Sequence, residues 1–512
     1  MTARRSSSAP EANQARRIVP AALSPEEFRS LGHSLVDALA EQLAAVPSKP
    51  VAPDTTPAKL RALLPAGSLP KKGGDSVQLL KSATHLLFEH STFNGHPQFY
   101  GYITAGPAPL GILGDLLAAA VNQNCGAWAL SPLATEIERQ AVQWTAELIG
   151  YRPTCGGLFV SGGNMANMVC FLAARASRAK WDARAGGLAA PDARMLTVYA
   201  THETHTWLQK AVDLFGIGTN AIRWVDCDEQ RRMRPDHLRE LIATDVEADH
   251  TPFIVVGTAG TVSTGSIDPL REISSVCREY DAWFHVDGAY GAPAACLPAA
   301  PGDLKALKLG DSVAVDPHKW LYAPLEAGCA LVRDAERLHS AFRWRPPYYR
   351  FDGAANDPPT NFFEWGPQNS RGFRALKVWL LLQQMGRDGY ARAIGDDCRL
   401  ARVMFDVAAA HPELEAVTHA LSITTFRYVP PDLIGKTLEP KVAAYLDTLN
   451  EAVLARTQRE GQCYLSNAIV NGCFLLRACI VNFRTEEEHV RAVPEIVVNA
   501  GRAVHAEMRP RS

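Results

Sequence analysis

Between residues 155 and 332, short apolar runs rich in β-branched residues alternate with longer stretches whose apolar positions recur every three or four residues. The runs predict strands at 158–160, 195–199, 221–225, 253–258, 283–286, 312–315 and 329–332. The periodic stretches predict helices at 164–180, 205–215, 236–244 and 269–280. Regular alternation of strand and helix predicts an α/β domain with a mainly parallel sheet, whose helices bury their apolar stripes against its faces. Ligands of such sheets sit at the carboxyl ends of the strands, so the loops that follow them are where chemistry is expected.

The pattern changes on either side. Ser24-Pro25-Glu26-Glu27 has the form of a helix start, and Phe28, Leu31, Leu35, Leu39 and Leu43 then share one face as far as Val46. Pro50, Pro53 and Pro57 end that helix, and a linker follows through Lys71-Lys72-Gly73-Gly74. With little to bury against in its own segment, this helix predicts packing on a second subunit. Residues 341–369 are crowded with prolines and aromatics and lack periodicity, which marks a long functional loop. A helix is predicted at 370–385, then strands at 423–428, 462–469 and 474–481 between helices. The expected organisation is a disordered tail over 1–20, an N-terminal helical dimerisation segment over 21–95, a large domain over 96–395 and a small α+β domain over 396–512.

Composition narrows the function classes. The 512 residues carry 52 Lys+Arg against 54 Asp+Glu, a net charge of −2, which excludes a general electrostatic hold on nucleic acid or anionic membrane. No apolar run approaches the roughly 18–20 residues of a membrane helix. The eleven cysteines are scattered without a C-x-x-C pair, and residues 1–17 lack the apolar centre of a secretory signal. A cytoplasmic protein with reduced thiols and no structural metal is expected.

Three stretches carry chemistry. Asp316-Pro317-His318-Lys319-Trp320 directly follows the strand at 312–315, so Lys319 falls at a strand end. Trp283-Phe284-His285-Val286-Asp287-Gly288-Ala289-Tyr290 places Asp287 at the end of another apolar strand, where a buried carboxylate needs a cationic partner. A Lys and an Asp at neighbouring strand ends suit pyridoxal 5'-phosphate: the Lys for a Schiff base, the Asp to keep the pyridinium nitrogen protonated. Ser161-Gly162-Gly163-Asn164-Met165-Ala166-Asn167 runs from a strand into a helix, where glycines and free N–H groups can receive a phosphate.

These stretches resemble the group II pyridoxal-phosphate-dependent decarboxylases, the family of the aromatic-L-amino-acid and glutamate decarboxylases, and the similarity runs from about residue 25 to 389. The resemblance implies the type I aminotransferase-like fold and a homodimer with active sites at the subunit interface. It implies Lys319 as the Schiff-base lysine, Asp287 as partner of the ring nitrogen, and Ala289 and His205 on the two faces of the cofactor. Gly162, Gly163, Asn164, Asp316 and His318 would serve the rest of the cofactor, together with Thr261. In Gly260-Thr261-Val262 the family's second Thr is replaced by Val262. His202 lies three residues before His205; the stacking role for His205 outweighs a metal pair, and His202 reads as a surface residue.

The resemblance also aligns Arg343-Trp344-Arg345-Pro346-Pro347-Tyr348-Tyr349 with the family's catalytic loop, whose tyrosine returns a proton to the carbanionic carbon. Tyr348 fits that position best, with Tyr349 as fallback, and a Tyr there implies an amine product where relatives with Phe form an aldehyde. Tyr102 and Thr104 fall in the family's segment lining the side-chain pocket. Gly126 falls where the partner subunit contributes, in place of a bulkier residue, which implies a roomier pocket. Ser370 stands where plant relatives with Ser prefer phenolic substrates, although Gly372 departs from the family's usual Arg. No basic cluster stands ready for a side-chain carboxylate, so an aromatic L-amino acid is expected rather than glutamate. An aldehyde synthase, a non-aromatic decarboxylase and a pyridoxal-binding pseudoenzyme remain the alternatives.

Overall fold

A computed structural model describes residues 19, 21–65, 67–344 and 359–508. The chain divides into two units, Met1–Lys49 with Pro53–Ser91 and Pro50–Ala52 with Thr92–Ser512. In the first unit the helix Pro25–Ala45 opens with a capping box. Ser24 Oγ accepts from the Glu27 N–H at 3.2 Å, and Glu27 Oε2 accepts from the Ser24 N–H at 2.8 Å. Two further helices, Pro57–Leu63 and Ser76–His90, complete the unit. Phe28, Val77, Leu79 and Leu87 stand exposed, and no residue of Ser76–His90 is buried, so this unit leaves apolar surface uncovered.

The second unit holds a seven-stranded sheet made of β1 (Gly156–Val160), β2 (Leu196–Ala200), β3 (Ile222–Trp224), β4 (Thr251–Thr258), β5 (Trp283–Asp287), β6 (Ser312–Val315) and β7 (Gly328–Val332), in the order β1-β7-β6-β5-β4-β2-β3. Every predicted strand of this region is present within a residue or two. Pairs β3–β2, β2–β4, β4–β5 and β5–β6 are parallel. Strand β7 returns antiparallel to both β6 and β1. No helix crosses over between β6 and β7, and without a crossover a parallel return is not available. Most of the strands are buried along their whole length, which is why they read as continuous apolar runs rather than alternating ones.

A second, antiparallel sheet contains β8 (Leu414–Ala420), β9 (Ile423–Tyr428), β10 (Ser466–Val470) and β11 (Cys473–Cys479), in the order β10-β11-β9-β8. Leu446, Leu449 and Val453 of the helix Pro440–Glu460 and Val490 and Val497 of the helix Glu487–Met508 pack with Phe426 and Leu476 of this sheet. The helix predicted at 370–385 runs instead from Ala375 to Ala410, broken at Gly386, where φ is +60°. Among the described residues no helix is long and apolar enough to cross a membrane.

Candidate active site

Register puts the chemistry in one row. Thr258 of β4 pairs with Asp287 of β5, and Asp287 pairs with Ala314 of β6, so the loop after β6 starts beside the Asp287 carboxylate. That loop is tightly wound: Lys319 N–H donates to Asp316 O at 2.9 Å and Ala323 N–H to Pro317 O at 3.1 Å. Its Trp320 ring stacks on Tyr290 with centroids 4.9 Å apart. Trp320 Nε1 and Tyr322 Oη both donate to Asp397 Oδ2 at 2.8 Å, tying the loop to the long helix.

The result is a cavity of about 500 Å³ lined by Gly162, Gly163, Asn164, His205, Asp287, Ala289, Asp316, His318 and Lys319 among others. Lys319 Nζ lies 3.0 Å from Asp316 Oδ2, and His318 Nε2 lies 3.7 Å from the same oxygen. Asp287 Oδ2 accepts from Trp207 Nε1 at 2.8 Å and from Asn167 Nδ2 at 3.2 Å, while Oδ1 accepts from the Ala289 N–H at 3.2 Å. Partial desolvation in the cavity holds the His205 imidazole below its ordinary pKa, against the opposing pull of Asp287. Its Nδ1 accepts from the Trp207 N–H at 3.2 Å. Burial likewise lowers the pKa of His318, whose Nδ1 accepts from the Ala327 N–H at 3.1 Å.

The fit to pyridoxal phosphate can be tested on these atoms. Gly162 (φ +129°) precedes the helix Gly163–Arg178, and a Cβ on Gly163 would lie 2.5 Å from Asp316 Oδ2, so the cradle admits no side chain there. Two buried oxygens of the cavity lining, Thr258 Oγ1 and Asp316 Oδ1, have no partner among the described residues. Anion cradle, carboxylate, amine and orphan oxygens together match the donor set that this cofactor requires. Gly163→Ala is expected to weaken pyridoxal phosphate binding by about tenfold, as the overpacked Cβ displaces Asp316. Fluorescence titration of the apoprotein measures it.

Other residues singled out in the sequence lie elsewhere. Thr261 is buried, but its hydroxyl is spent on Thr264 and on the Ser266 N–H, and Val262 beside it lines the cavity. Tyr102 and Ser370 are exposed, Thr104 is half-buried, and none of the three lines this chain's cavity. Gly126 is buried away from it, and a Cβ there would lie 2.1 Å from Asn369 O. The glycine thus admits a close backbone approach that any side chain would block. His202 stacks on Trp224 at 4.3 Å, an exposed residue outside the cavity lining. Tyr348 and Tyr349 lie outside the described residues.

The pyridoxal-dependent decarboxylase conserved domain matches residues 57–429. The chain belongs to that family. An aromatic-L-amino-acid decarboxylase of Bacillus atrophaeus is 32% identical over 472 residues, 91% of this chain and 94% of that relative. A phenylacetaldehyde synthase from a Rosa hybrid cultivar is 27% identical over 94% of this chain and 95% of its own. Among solved structures, Catharanthus roseus tryptophan decarboxylase in complex with L-tryptophan superposes with a TM-score of 0.83 at 28% identity, covering 95% of this chain and all of that one. The decarboxylase is therefore a pyridoxal-phosphate-dependent carboxy-lyase of the aminotransferase-like α/β fold.

When bound, the cofactor supplies the electron sink that makes loss of CO2 feasible. The rest of the work falls to this decarboxylase's own groups. Lys319 presents a primary amine at the cavity wall, Asp287 is an acceptor already steadied by three N–H donors, and the Gly162–Asn164 turn offers free backbone N–H groups at a helix start. Trp207 and Thr258 carry no mark in the sequence, and Asn167 stands in the phosphate stretch with nothing to show that it faces Asp287; Thr258 is placed at the site by its register with Asp287.

One pH effect follows from the loop's anchor. Burial raises the Asp397 carboxyl to about 7, against the lowering effect of Trp320 and Tyr322. A raised acid favours folding while protonated, so its contribution is complete below pH ~4 and is lost as pH rises towards 7. Asp397→Asn stays neutral throughout. Its melting temperature relative to the natural protein is expected to rise between pH 5 and 8, as scanning calorimetry can follow.

Proposed function

We propose that this chain decarboxylates aromatic L-amino acids to the corresponding amines, as a cytoplasmic homodimer. The observation that carries the substrate class is the cavity wall. Among the described residues lining it, Lys319 is the only Lys or Arg, while Met165, Met168, Val262 and Leu325 supply apolar surface. A side-chain carboxylate would find no second cation there, whereas an aromatic ring gains from burial. The relatives named above, which act on or are solved with aromatic substrates, support the same reading.

Dimerisation is supported by uncovered apolar surface. The helix Pro109–Val121 leaves Leu113, Leu116, Leu117 and Val121 each about half exposed, and Leu130 and Leu133 are also exposed. Tyr102 is an exposed aromatic held at φ +53°, with its carbonyl accepting from Arg477 Nη1 at 2.8 Å, as befits a residue reaching a partner's site. The eleven unpaired thiols suit a reducing compartment. Sedimentation of the holoenzyme is expected to give a dimer; a monomer with full activity would contradict it.

The proton returned to the substrate carbon is assigned to Tyr348 on the family resemblance. Tyr348→Phe is expected to raise aldehyde at the expense of amine, and a variant that still forms amine alone would remove the assignment. The substrate class is tested by ranking kcat/KM across Trp, Tyr, DOPA, Phe, Glu, Asp and aliphatic L-amino acids. An aromatic residue should lead by at least about tenfold. A leading acidic substrate would overturn it.

A further inference from the structure

Behind Asp287 runs a single file of hydrogen bonds that has a direction. Trp283 Nε1 donates to Ser312 Oγ at 2.8 Å, and Ser312 Oγ meets His285 Nδ1 at 2.8 Å. His285 Nε2 meets Asn167 Oδ1 at 2.7 Å, and Asn167 Nδ2 donates to Asp287 Oδ2 at 3.2 Å. Trp283, Ser312, His285 and Asn167 are all at most 2% exposed, so the file is closed to solvent.

Its two ends set its polarity. An indole N–H can only donate and a carboxylate can only accept. The carboxylate end decides the direction: Asp287 can only accept, so the Asn167 amide turns Nδ2 to it and Oδ1 to His285. Asn167 Oδ1 needs a donor, so the ring proton of the neutral imidazole sits on Nε2, and Nδ1 accepts the Ser312 hydroxyl proton. Turning the amide over would set N–H against N–H on one side and oxygen against carboxylate on the other, two repulsions in a buried site. Burial pushes the His285 pKa down to about 4, so the imidazole is neutral, as a one-way file requires.

We propose that His285 is a positioning residue for the cofactor's ring nitrogen: its Nε2–H fixes the Asn167 amide, and through it the direction in which the Asp287 carboxylate offers its free acceptor to the cavity. His285 does not itself line that cavity. With Asn167 and Trp207 on Oδ2 and the Ala289 N–H on Oδ1, the carboxylate cannot rotate without losing a donor. The inference rests on Asp287 facing the ring nitrogen.

The test reconstitutes apoprotein variants with pyridoxal phosphate and reads two quantities: the dissociation constant, and the pH midpoint of the visible band of the loaded protein. His285→Phe is expected to weaken binding about tenfold and to move the midpoint. His285→Gln, whose amide can still donate to Asn167, should recover most of both. Ser312→Ala removes the far donor and the acceptor of Trp283 Nε1, keeps His285, and is expected to weaken binding by about threefold. Natural affinity and midpoint in His285→Phe would overturn the proposal, as would a His285→Gln variant no better than His285→Phe. A fall in apoprotein melting temperature with both readouts unchanged would mark a structural role and also overturn it. Should His285→Phe not fold, an unchanged Ser312→Ala decides against it equally. Asp287→Asn separates the two layers: without effect it removes the assignment of Asp287 itself, whereas a strong effect beside a silent His285→Phe removes the file alone.

Discussion

Lys319→Ala is expected to abolish decarboxylation, by on the order of 10⁴-fold or more in kcat, and to abolish the visible band of the reconstituted protein. The amine projects into the cavity 3.0 Å from Asp316 Oδ2, from a loop clamped by Trp320 and Tyr322 to Asp397. No second lysine lines the cavity among the described residues, so no neighbouring amine can take its place. Cofactor can still bind the variant through the Gly162–Asn164 turn and Asp287, so affinity should fall less than turnover. Stopped-flow absorbance and a CO2 assay measure the two effects separately.

Arg371→Leu is expected to cost about 3–5 kcal/mol of stability, because it leaves a buried carboxylate without its cation. Arg371 and Glu138 form a bidentate pair at 2.5 and 3.0 Å, and both side chains are 1% exposed. The same guanidinium donates to Cys125 O at 2.9 Å and Phe159 O at 2.7 Å, and Glu138 Oε1 accepts from the Phe159 N–H at 2.9 Å. One ion pair thus joins β1, the backbone around Gly126 and the segment after Ser370. Arg371→Lys should also be destabilising, since an ammonium cannot match the forked geometry. Chemical denaturation gives the size of the loss. An Arg371→Leu protein as stable as the natural one would show that the pair is not a structural clamp.

The parts of the site carried by single stretches were legible in the sequence, and the parts assembled between stretches were not. Lys319 and Asp287 each follow an apolar strand, and Gly162–Asn164 joins strand to helix, so the rule that ligands gather at strand ends was enough to unite them. Asn167 and Trp207 matter because two different helices aim them at one carboxylate oxygen, which no spacing announces. Gly126 lies close to the backbone of Asn369, an approach between distant stretches that no spacing announces either. In the fold, β8 escaped because it is a half-exposed edge strand with little apolar pattern. The long helix was cut short because Gly386 stops the periodicity that resumes beyond it.

The most direct test of the central claim is the product balance of the holoenzyme on an aromatic L-amino acid, with CO2, amine, aldehyde and ammonia measured together. CO2 and amine are expected in equal amounts, with neither aldehyde nor ammonia. Equal aldehyde and ammonia, or no CO2 from any amino acid despite bound cofactor, would contradict it.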